Sequence, residues 1–240
     1  METFISDIKE KFRYGDTLTR LLLINAGVFI AIALSKVVFI LFGLANNATW
    51  NHNFEWSWNL ADFLARPWTI ATYMFTSYGV WHLLFNLLTL YWFGKRFQIL
   101  YTNSQLRGVY ILGAIAGMVF FTLLFNLFPA LQTKDHLWTM PGTSTAVLAI
   151  ASATAFRAPN YMQKLPIIGF VPVKYLVIAL GVINVALIPN INPATDFAHL
   201  GAVLTGYLYV RCHKHGTDIT KPVTVVAVWI DKICDKFRKR

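Results

Sequence analysis

Residues 141–156 read PGTSTAVLAIASATAF. Pro141 and Gly142 are turn formers, and the run that follows is small, apolar and uncharged until Arg157. The pattern predicts a tight turn delivering Ser144 into the first turn of a helix. Backbone N–H groups there lack helical partners, and the helix dipole favours negative charge. A helix so short and small-sided is stable in a greasy setting only when other helices cover it.

The rest of the chain supplies that setting. Of its 240 residues 56% are apolar and only 13% are charged, too oily a balance for an ordinary soluble domain. Crossing a ~30 Å hydrocarbon core takes about 20 helical residues, and six runs are candidate spans: Leu18–Leu44, Val80–Phe97, Val109–Phe128, and the short or Gly-rich Thr143–Phe156, Tyr175–Ile188 and Ala194–Val210, which neighbouring helices would have to cover. The expected fold is all-α, a polytopic six-helix transmembrane bundle. With the N-terminus in the cytoplasm, 18 of the 21 Lys and Arg residues fall on the cytoplasmic side, as short loops require. Arg66 and Lys134 lie outside and Lys36 within the first span. An odd number of spans would put the basic tail outside, so both termini are expected to be cytoplasmic.

The expected organisation is a cytoplasmic segment 1–17, a membrane domain 18–211 and a basic tail 212–240. The net charge of +10 sits at loop edges and not on one face of a soluble domain, which points to anionic lipid and away from nucleic acid. In the tail, Val226, Trp229, Ile230, Ile233 and Phe237 recur at helical spacing between basic residues. This fits either a helix lying on the bilayer surface or a frayed basic tail. No cleavable signal peptide is expected. Cys212 and Cys234 both fall on the cytoplasmic side, so reduced thiols are expected.

Placed on this topology, His82, Ser144 and His199 meet at one depth, each near the start of a span that descends from the outer face. A lone membrane serine usually bonds backbone, and a lone interfacial histidine usually faces water; three together point to chemistry. Asn86 lies four residues after His82 and shares its helix face. Gly201 and Gly206 would let the last span come close enough for His199 to reach Ser144. Serine activation by a general base needs that contact, and an oxyanion formed at Ser144 would meet N–H donors. His82, His136 and His199 have no Cys or carboxylate at ligand spacing, so no metal and no cofactor is expected. Asp196 reads as a loop or helix-start capping residue in preference to a third catalytic member.

The ordered set His82-x-x-x-Asn86, Gly142-x-Ser144 and Ala198-His199 with small residues following resembles the rhomboid intramembrane serine proteases, over about Arg66 to Arg211. The resemblance implies a Ser144–His199 dyad, with His82, Asn86 and the Ser144 backbone N–H as oxyanion hole. It also implies transmembrane protein substrates and matches Trp68 to a Trp of the family's first outer loop. The chain departs from the family pattern at Thr145 and Ala202, where glycine is usual. It departs also at Leu148, usually aromatic, at Thr69 after the loop Trp, usually Arg, and at Ser77, often His. Without a carboxylate partner His199 should be a modest base, and turnover slow. A bacterial inner membrane is the expected location. The competing readings are a catalytically silent rhomboid-like protein that binds membrane clients, and a small transporter suggested by Lys36, Asn25, Asn126 and Asn184 within the spans. Asn190–Pro193 reads equally as a movable lid or a plain connector. Nothing in the sequence speaks to oligomeric state.

Overall fold

The computed structural model describes residues 2–43, 47–128, 139–165, 169–187 and 193–226. Lys134, His136, Asn190 to Asn192, Cys234 and the tail from residue 227 onward lie outside the described residues.

Each of the six apolar runs forms a helix. They are α2 (Thr17–Leu41), α6 (Val80–Leu100), α7 (Asn103–Leu127), α8 (Thr143–Arg157), α9 (Val173–Leu187) and α10 (Pro193–Lys214). Two of them, α2 and α7, are long and apolar enough to cross a membrane by length and composition alone. α6 and α10 carry charge at their ends, and α8 and α9 are only 15 residues long.

α8 is the hub. It packs against α6, α7 and α10 and buries its residues on every side, from Thr143 to Ala155 with Ser144 alone partly open. That explains its modest apolarity: Ala, Ser and Thr are chosen for size, because neighbouring backbones come close. A Cβ added at Gly113 of α7 would lie 2.3 Å from the Ala149 side chain, and one at Gly206 of α10 would lie 2.6 Å from the Ala153 backbone N. Glycine is therefore required at both crossings.

Three features depart from a plain six-helix reading. The segment 2–14 is itself a helix, α1 (Glu2–Tyr14), joined to α2 through Asp16. The connection between α2 and α6 holds three short helices, α3 (Asn47–His52), α4 (Leu60–Ala65) and α5 (Thr69–Thr72), and a 3-10 turn Tyr73–Phe75. The fold is also not purely α. Strand β1 (Trp56–Ser57) pairs antiparallel with β2 (Thr139–Met140), tying this connection to the approach to α8, and β3 (Met162–Leu165) forms a hairpin with β4 (Gly169–Pro172) between α8 and α9. Sequence periodicity misses pairs this short because no window of alternation exists.

Asp16 starts α2 by accepting a hydrogen bond from the Thr19 backbone N–H at 2.8 Å, and it also accepts from Gln98 Nε2 at 3.0 Å. Partial burial alone would raise its carboxyl, but the bonds from Thr19 and Gln98 outweigh it and hold Asp16 below the usual carboxylate range. This stabilisation is complete above the ordinary aspartate pKa and fades as pH falls through the lowered one. Asp16→Ala is expected to cost about 1 kcal/mol, read as a lower unfolding midpoint at pH 7 in detergent, with the difference shrinking in acid.

Candidate active site

The site begins with how α8 starts. The Pro141–Gly142 turn is locked from behind: the Gly142 N–H donates to the Tyr73 carbonyl at 2.7 Å, and the Thr143 N–H donates to the Thr76 carbonyl at 3.4 Å. A Cβ at Gly142 would overlap the Tyr73 ring at 2.2 Å. The Tyr73 hydroxyl in turn donates to the Ala114 carbonyl of α7. The Thr143 hydroxyl donates to the Thr76 carbonyl at 2.7 Å and lies 3.3 Å from Asn25 Oδ1. Ser144, the second residue of α8, is thus presented by a turn clamped between the first connection and α7.

α10 brings the partner. His199 Nε2 lies 2.9 Å from Ser144 Oγ, and His199 is only 8% exposed. With the proton on Nδ1, Nε2 accepts from the hydroxyl. Gly201, against the Ala116 carbonyl of α7, and Gly206, against α8, set the approach: added Cβ atoms would lie 2.9 Å from that carbonyl oxygen and 2.7 Å from the Ala149 carbonyl oxygen. The start of α10 is pinned to the start of α6 by Tyr78, whose hydroxyl lies 3.1 Å from Thr195 Oγ1.

His82 and Asn86 share one face of α6. Asn86 Nδ2 donates to the His82 carbonyl at 2.9 Å and lies 3.3 Å from His82 Nε2. The His82 ring sits 5.4 Å from the Tyr78 ring. The structure therefore joins Ser144 to His199 directly and links the His82 ring through Tyr78 to Thr195 in the first turn of α10.

Sequence reading missed Tyr78, Thr195 and the Tyr73 clamp, all of which act across long separations in the chain. Asn25 entered the sequence reading only as support for the competing transporter alternative. That residue is buried, donates to the Leu21 carbonyl at 2.8 Å, and accepts from the Tyr110 hydroxyl at 3.0 Å. It braces the turn before Ser144. Asn126 likewise spends its amide on the Thr122 carbonyl at 2.8 Å. The side chain of Asn184 lies outside the described residues.

Thr145, where glycine would be usual, finds its room in α7. Its hydroxyl donates to the Gly142 carbonyl at 2.8 Å, and a Cβ at Gly117 would lie 2.7 Å from its methyl. The missing space at one position is restored at the other. Leu148 is buried and part of the core, as is Ala202.

The connection that holds Tyr73 is built rather than slack. The Trp68 indole donates to the Asn53 carbonyl at 2.8 Å, the Trp56 indole to Thr122 Oγ1 at 2.9 Å, and Thr139 to Glu55 at 2.6 Å. Burial pushes the Glu55 carboxyl up from its ordinary value. Arg66 pairs with Asp62 at 3.1 Å beside His52, whose ring is pushed down in pKa by burial and by the Arg66 charge.

A membrane-embedded helical protein with a serine and a histidine in contact across two packed helices is the class that fold and site define. The Rhomboid domain model matches residues 64–214, and the chain belongs to the rhomboid family. Among curated proteins it is similar to Rhomboid-like protein 17, chloroplastic, of Arabidopsis thaliana, at 28% identity over 173 residues, which cover 61% of this chain and 53% of that protein. The chain spans about half the length of the curated relative it matches.

Proposed function

We propose that the protein is an intramembrane serine endopeptidase that cuts membrane-anchored proteins near the outer interface. The observation that carries this reading is the 2.9 Å contact between Ser144 Oγ and His199 Nε2, two side chains 55 residues apart in sequence. Six spans, both termini on the basic side, and a bacterial plasma membrane complete the proposal; the basic loop edges support them. The membrane domain is 18–211, and α1 and the basic tail from residue 212 flank it on the cytoplasmic face, against anionic lipid.

In this reading the Ser144 hydroxyl gives its proton to His199 Nε2 as Oγ bonds to the scissile carbonyl carbon. The carbonyl oxygen takes up the negative charge, and the Ser144 backbone N–H with His82 and Asn86 faces it. The intermediate collapses, the C–N bond breaks, and the imidazolium returns the proton to the leaving amine. Water then attacks the acyl-serine with His199 again as base, releasing the acid product and restoring the hydroxyl. A helical peptide bond is shielded, so helix-weak residues near the cut are expected in substrates.

The purified protein, reconstituted in vesicles with a model single-span protein bearing small, helix-weak residues near its outer end, is expected to yield two fragments cut at that end. An intact substrate under conditions where the protein binds it would instead favour a client-binding role without catalysis.

A further inference from the structure

We propose that Asp196 is a positioning residue for His199, so that three side chains, not two, set the reactive geometry; this rests on the roles of Ser144 and His199 given above. For Nε2 to take the serine proton, the neutral ring must carry its own proton on Nδ1. That nitrogen is buried and has no hydrogen-bond partner among the described residues. A buried N–H without an acceptor is costly, and its loss would leave the tautomer and ring angle unfixed.

The nearest carboxylate answers that need. Asp196 Oδ1 lies 3.8 Å from His199 Nδ1, with the two side chains only 12% and 10% exposed. Three residues apart on α10, they share a helix face. The neighbouring Thr195 is held to Tyr78 at 3.1 Å, which fixes the first turn of α10 and the backbone that presents Asp196.

A gap of 3.8 Å is too long for a hydrogen bond. Closing it takes a shift of about 1 Å, and contacts of this kind tighten when substrate binds. Asp196 then accepts from Nδ1–H, holds the ring with Nε2 toward Ser144, and faces the positive charge that the ring gains on taking the serine proton. The family pattern the chain resembles asks only for the pair.

The test compares wild type, Asp196→Asn and Asp196→Ala in vesicles. It reads kcat and KM on a single-span substrate and the rate of Ser144 labelling by a fluorophosphonate. Asp196→Ala is expected to lower kcat and labelling by roughly 100-fold with KM unchanged, the scale of a misplaced catalytic group. Asp196→Asn should fall between, since its amide oxygen can still accept from Nδ1–H. An unchanged kcat per labelled site would overturn the proposal, as would a loss that merely follows a lowered unfolding midpoint. Wild-type cleavage by Ser144→Ala would instead remove the proteolytic reading itself, whatever Asp196 does.

Discussion

Ser144→Ala and His199→Ala are each expected to reduce substrate cleavage to background, a loss of about 1,000-fold or more, and the double variant no further. The non-additivity is the informative part. The two side chains share one 2.9 Å contact and in the proposed reaction pass one proton, so removing either ends the same step. Two residues that merely supported the fold would give losses that add. Ser144→Ala removes a single oxygen from a partly open position, so its unfolding midpoint should match wild type. His199 is 8% exposed, and its alanine variant leaves a void that costs some stability. The serine variant is therefore the cleaner reading of chemistry, and the histidine variant shows that the serine does not act alone.

Gly206→Val is expected to cost about 3 kcal/mol or more and to abolish activity in whatever protein still folds. An added Cβ at Gly206 meets the Ala153 backbone N at 2.6 Å, and the Ala149 carbonyl oxygen and the Ser152 side chain at 2.7 Å. These are backbone and near-backbone atoms of α8, which cannot step aside as a flexible side chain would. The helices must separate, and separation is felt where α10 holds His199 against Ser144. Gly27→Ala is the matched control, because nothing lies within 4 Å of its added Cβ. Its unfolding midpoint and its rate of Ser144 labelling should both stay near wild type. A Gly206 variant that melts and labels like wild type would mean that close packing of α8 and α10 is not what brings the pair together.

How far this architecture could be read from the chain depends on the range of the interaction. Run length alone found α2 and α7, and the Pro141–Gly142 turn placed Ser144 in the first turn of α8. The helix faces shared by His82 with Asn86 needed only a spacing of four. What escaped was everything set by distant partners. The connection from residue 47 to 75 has no periodicity long enough to read, yet it forms the clamp in which Tyr73 holds the Gly142 turn. Thr145 stood out only as a departure from the family pattern, because its room is made by Gly117, on another helix. Asn25 supported the transporter alternative because sequence cannot show the Tyr110 hydroxyl bonded to it. Asp196 does sit in the first turn of α10, as its helix-start reading has it, and only its closeness to His199 Nδ1 depends on how the ring turns toward α8.

The most direct measurement is site-resolved mass spectrometry of the protein after fluorophosphonate treatment in its folded, membrane-reconstituted state. A nucleophile made reactive by the neighbouring imidazole predicts one phosphonylated residue, Ser144, in wild type and no adduct in His199→Ala. An unmodified Ser144 in the wild-type protein, or equal modification with and without His199, would contradict it.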